Sequence, residues 1–198
     1  MRGTLTSQFV KLRFTMLFVM AMILANAFAG TLSGALPSDV LATWGVGQQS
    51  VWSGDLFRLL TGTFLSHDLD MLIRQVIFAA VAIGYTEWIW GSRRAALLFL
   101  MLDVSATLFL LTTVWALPAM ADVATLNDVG MSMGGFGLLG LAIAGWRGRI
   151  ALFLIALLAI GAKIALDFEL LTDTGHLLAL TLGFLAGLAL YRSSSAGP

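Results

Sequence analysis

Most charged residues lie between apolar runs rather than inside them, and this pattern most constrains the fold. The runs cover Phe14 to about Leu36, about Leu69 to Trp90, Ala95 to Leu117, Gly130 to Trp146, Ile150 to about Leu166, and Thr174 to Tyr191. Apolar runs near 20 residues cross a bilayer as helices, because hydrocarbon offers no partner for a free backbone group. Only 11% of the 198 residues are charged, well under the quarter typical of a soluble domain. The expected class is an all-α membrane protein of six transmembrane helices. Its single domain would span 14–192, after an N-terminal segment 1–13 and before a tail 193–198. Arg2, Lys11 and Arg13, a short apolar core and Ala27-Phe28-Ala29 also resemble a cleavable signal peptide. The apolar run continues past that point, so a retained helix is expected.

Six spans assign sides. Arg2, Lys11, Arg13, Arg93, Arg94, Arg147, Arg149 and Arg192 fall together, and Arg58 alone lies in an opposite loop. The positive-inside rule then puts both termini in the cytoplasm and the acidic loops 118–129 and 167–173 outside. The first connection, 37–66, sets Trp44, Trp52, Leu56 and Phe57 among Gly, Gln and Ser, which reads as an interfacial segment. Zero net charge gives no electrostatic footprint for nucleic acid. No cysteine is present, which excludes disulfides and thiolate chemistry. The two histidines are too far apart for a local metal motif, so neither metal nor cofactor is expected.

Two residues carry chemistry. Ser132 stands in Gly130-Met131-Ser132-Met133-Gly134-Gly135-Phe136-Gly137, near the start of the fourth run. His176 opens the sixth run in Thr174-Gly175-His176-Leu177. Ser132 lies 15 residues before Arg147 and His176 16 before Arg192. At about 1.5 Å per residue both stand roughly 22–24 Å above those arginines, just below the outer boundary. Gly134, Gly135, Gly137 and Gly140 on one helix, and Ala179, Gly183 and Gly187 on the other, form small-residue faces that allow close approach. A serine beside an imidazole performs nucleophilic acyl transfer. The residues alone leave open the blander reading, in which both merely pack. Asp173 is expected to cap the sixth helix. Asp103 is read as a structural polar contact, Lys163 and Arg74 as snorkelling, and Glu87 as a structural acceptor. Gln75, about two turns inside the second run, needs a partner there.

From about Asp55 to Tyr191 the chain resembles the rhomboid family of intramembrane serine proteases. Gly130-Met131-Ser132 matches the family's Gly-x-Ser. Phe136 matches the aromatic residue that packs on the histidine, and His176 with Gly183 matches the last helix. Gly84, Glu87 and Gly91 match Gly-x-x-Glu-x-x-x-Gly, and Phe57-Arg58 resembles Trp-Arg. The resemblance implies Ser132 as nucleophile, His176 as general base and the Ser132 N–H as one oxyanion donor. It departs where the family has His-x-x-x-Asn, since Met71 and Gln75 stand there. Ser66 replaces an earlier histidine, with His67 one place on. Gln75 and His67 are then the candidate side-chain donors. Met133 replaces a glycine and is expected to crowd the site.

The resulting expectation is a serine endopeptidase with a rhomboid-like core. It would cut near the outer end of a transmembrane protein substrate, in a bacterial inner membrane, with its site opening outward. The alternative is a catalytically silent relative that binds membrane-protein clients. A third reading is a small transporter lined by Asp103, Lys163 and Gln75.

Overall fold

The computed structural model describes residues 12–195. Arg2, Lys11 and the rest of the expected N-terminal segment up to residue 11 lie outside the described residues, as does the tail from 196. The described chain is nearly all helical. In order it forms α1 (Arg13–Ala29), α2 (Ser38–Trp44), strand β1 (Val46–Gly47), α3 (Gln48–Trp52) and α4 (Arg58–Thr61). A 3₁₀ turn over Gly62–Phe64 leads to α5 (Leu69–Trp90) and α6 (Ser92–Ala116). A second 3₁₀ turn, Pro118–Val123, precedes β2 (Asn127–Asp128), α7 (Ser132–Ala144), α8 (Arg149–Leu166) and α9 (Leu170–Ser195). Four helices, α5, α6, α8 and α9, are long and apolar enough to cross a membrane. The apolar helices α1 and α7 are shorter, at 17 and 13 residues.

Local chemistry sets the ends. Asp68 caps α5 by accepting the Met71 N–H at 2.7 Å, and Gly91, at φ 79°, makes the turn into α6. The first helix ends at Ala29, not at Leu36 as the hydropathy suggested. Gly30 adopts the left-handed conformation (φ 86°), and the Thr31 N–H and hydroxyl both turn back onto Asn26. The last helix begins at Leu170, four residues before the expected start. Asp173 does cap it, but from inside the first turn, where Oδ2 accepts the Glu169 N–H at 2.8 Å. His176 therefore stands two turns into α9 rather than at its opening. The Lys163 ammonium lies 2.9 Å from Glu169 Oε2 and 3.0 Å from Asp173 Oδ1, tying α8 to the start of α9.

Helix α7 is the centre, packed against α9, α6 and α5. It meets α9 through glycine. A Cβ at Gly183 would strike the Gly137 carbonyl, and one at Gly140 would strike the Leu180 carbonyl. Gly187 lies against Leu141 and Ala144. Met133 sits beside Gly175, so the two helices run parallel in one register. Leu138, Leu141, Met22, Ile83 and Met131 fill the space between α7, α1 and α5. Glu87 holds α1 by its N-terminus, accepting the Phe14 and Thr15 N–H groups and the Thr15 hydroxyl. By contrast α8 buries a single residue, Ile160.

The first connection is folded rather than loose. Strands β1 and β2 pair antiparallel, Val46 with Asp128 and Gly47 with Asn127. Arg58 donates to the Ala42 and Gly45 carbonyls at the end of α2 and pairs with Asp55 at 2.6 Å. Trp44, Trp52, Leu56 and Phe57 stay exposed, as an interfacial segment would leave them.

Candidate active site

Ser132 is the first residue of α7. The turn that presents it depends on Gly130, which has φ 130°, a region closed to other residues. The Gly130 N–H donates to the Gly62 carbonyl at 2.8 Å. A Cβ at Gly130 would run into the Gln75 amide nitrogen and the Met71 methyl. Both the backbone and the available space therefore require glycine here. One turn on, the buried Asp103 carboxylate accepts the Gly134 N–H through Oδ1 at 2.8 Å and bonds Thr63 Oγ1 through Oδ2 at 2.9 Å. Asp103 thus fixes the start of α7, since the first N–H groups of a helix have no intrahelical acceptor.

His176 reaches the same level from α9. Its ring stacks on Phe136 with centroids 4.3 Å apart and planes inclined 28°. Phe136 follows Ser132 by four residues, so it lies on the serine's face of the helix. His176 Nε2 is buried and has no hydrogen-bond partner among the described residues. Ser132 Oγ likewise bonds none of them. Met133 packs against Gly175, the residue before His176, and with Leu110 lines the cavity beside Ser132.

Gln75 is 6% exposed. Its Oε1 accepts from Ser66 Oγ at 3.1 Å, while Nε2 is buried without a partner among the described residues and abuts Gly130. A buried amide N–H₂ left unsatisfied costs roughly 1–3 kcal/mol, so it calls for an explanation. His67, the other candidate donor, is engaged elsewhere. Its Nε2 lies 2.9 Å from Asp128 Oδ1. That hydrogen bond raises the His67 pKa above 6.5, against the opposing pull of partial burial.

A cavity of about 40 Å³ adjoins Ser132, with Thr63, Asp103, Asp128 and Gln48 among its walls. It exceeds the ~10–15 Å³ that one water needs. Among the described residues, no three His, Cys, Asp or Glu side chains form a group able to hold a metal ion.

The remaining motif residues are structural. Glu87 caps α1, Gly91 makes a turn, and Gly183 permits the α7–α9 contact. Arg74 pairs with Asp70 on the exposed face of α5. Sequence reasoning did not single out Asp128, Asn26 or the Asp103–Gly134 bond as parts of the site. Only Asp128 carried a signal, by standing two residues before Gly130. Neither the comparison with protein-family models nor that with curated proteins finds a match for this chain.

Proposed function

We propose that the chain is an intramembrane serine protease of rhomboid type, with Ser132 as nucleophile and His176 as general base. The observation that carries this reading is His176 itself. Its Nε2 is buried and has no partner among the described residues, while its ring is held by a residue one turn from Ser132. A histidine kept only for packing would have its nitrogen satisfied. Ser132 Oγ attacks the substrate carbonyl as His176 Nε2 takes its proton. The imidazolium then protonates the leaving amine, and a water, deprotonated by the same nitrogen, releases the acid product. The Ser132 backbone N–H and Gln75 Nε2 stabilise the oxyanion.

In this reading six helices cross the bilayer, both termini are cytoplasmic and the site opens outward. The short α7 supports that geometry. Its 13 residues rise only about 20 Å, so the chain before Ser132 must be non-helical at membrane depth. Such backbone is tolerated where protein surrounds it or water reaches it. Here β1, Gly62 and the cavity meet both conditions. A substrate helix must unwind to expose a peptide bond, so substrates with small or helix-breaking residues near the outer boundary fit best.

A second reading, the silent client-binding relative, is favoured by one observation: Ser132 Oγ makes no hydrogen bond to His176. Catalytic hydrogen bonds are often long before substrate binds. Labelling by a fluorophosphonate probe in detergent decides between the two. Wild type should label, and Ser132→Ala and His176→Ala should not. Folded wild type that stays unlabelled would leave the silent reading.

A further inference from the structure

We infer that Ser66 is a positioning residue, which orients the Gln75 amide so that its N–H₂ faces the Gly130–Ser132 turn. The inference rests on the protease reading and deepens it. A glutamine side chain can turn its amide either way round, and the two orientations have opposite consequences at an oxyanion. With nitrogen toward Gly130 it donates to the developing charge. With oxygen there it repels that charge. Something must therefore choose.

The structure gives a chain of contacts that makes the choice. Asn26, in α1, is fully buried. Its Nδ2 donates to the Met22 and Phe64 carbonyls at 2.9 and 2.8 Å. Its Oδ1 accepts the Ser66 N–H at 2.9 Å and the Thr31 hydroxyl at 2.7 Å. Carbonyls can only accept and an N–H can only donate, so the Asn26 amide has one possible orientation. It pins both Phe64 and Ser66, and with them the Ser66 backbone. Ser66 is itself fully buried, and its hydroxyl meets Gln75 Oε1 at 3.1 Å. No other hydrogen bond to that hydroxyl occurs among the described residues. Turning the Gln75 amide round would strand the hydroxyl proton and also leave a carbonyl oxygen unsatisfied against Gly130. The present orientation leaves only N–H groups free, which are the groups an oxyanion needs. A rigid element of the first helix thus sets the polarity of a side chain on α5.

The test compares second-order fluorophosphonate labelling rates of wild type, Ser66→Ala, Gln75→Ala and the double variant, with thermal unfolding measured on each. Gln75→Ala should lose about 10²-fold or more, the usual effect of removing one oxyanion donor. Ser66→Ala should lose about tenfold, the size of one neutral hydrogen bond. The double variant should label no more slowly than Gln75→Ala alone, because Ser66 acts only through the amide. If Ser66→Ala does not fold, Ser66→Cys keeps the volume with a weak donor. It should slow labelling in the wild-type background and not in the Gln75→Ala background. Equal losses from the Ser66 change in both backgrounds, or a loss that merely tracks the unfolding temperature, would mark a loop-folding role and overturn the inference. Wild type that does not label would overturn the protease reading and this inference with it.

Discussion

Phe136 and His176 lie face to face, 4.3 Å between ring centroids, across the contact of α7 with α9. Ser132 and Phe136 share one face of α7, so the stack fixes the imidazole relative to the hydroxyl. An aromatic pair of this kind is worth about 0.5–1.5 kcal/mol beyond its burial. Phe136→Ala should therefore slow fluorophosphonate labelling by about three- to tenfold, while Phe136→Tyr stays near wild type. Labelling time courses at matched protein concentration check this.

At Gly140 and Gly183 the α7–α9 contact has no room for a Cβ. Gly140→Ala or Gly183→Ala would press a methyl onto a backbone carbonyl, and overpacking of this kind costs about 1–3 kcal/mol. Both variants should unfold at lower temperature in detergent and label more slowly. Gly161, in α8, has nothing within 4 Å of its missing Cβ. Gly161→Ala should be neutral or slightly stabilising, since alanine favours a helix by about 0.8–1 kcal/mol over glycine. Thermal unfolding of the three variants side by side is the measurement.

Asp103 bonds the Gly134 N–H and Thr63. Asp103→Ala strands the Gly134 N–H in the interior, at about 1–3 kcal/mol, and leaves the Thr63 hydroxyl its bond to the Leu59 carbonyl. Asp103→Asn keeps an oxygen for Gly134. The alanine variant should be the less stable of the two and the slower to label, read from unfolding temperature and labelling on one preparation.

The His67–Asp128 pair gives stability a pH dependence. Asp128 raises the His67 pKa in the folded protein, so the fold favours the protonated imidazole. The contribution is complete below the unfolded value of about 6.5 and is lost as pH rises through the higher folded value. His67 is partly exposed, so solvent screening keeps the effect small. The unfolding temperature of wild type should fall between pH 6 and pH 8.5 by more than that of His67→Gln.

Much of the scaffold was legible because hydropathy and capping agree. Leu69–Trp90 is bounded by Asp68 and Gly91, and the second run was read to its ends. The first helix was misplaced at its end, where Gly30 overrides hydropathy, and the last at both ends, since Asp173 caps an earlier start and the helix runs on past Tyr191 to Ser195. The common level of Ser132 and His176 followed from their similar spacing to Arg147 and Arg192, and the glycine spacing pointed to their helices as neighbours. The partners of Lys163 had no signature, because Glu169 and Asp173 lie beyond the end of its own helix. The Asp103 bond to Gly134 had no signature, since a backbone N–H belongs to every residue but proline. Gln75 was noticed as a buried amide, but Ser66 as its partner required the fold of the loop between them.

Glu87 completes the first turn of α1 by accepting the N–H of Phe14, 73 residues earlier in the chain. Until it does, the Phe14 and Thr15 N–H groups have no acceptor among the described residues. During synthesis the chain emerges from its N-terminus, so α1 must wait for nearly the whole of α5 before its end is closed. A ribosome stalled before residue 87 would leave the N-terminal end of α1 without that carboxylate.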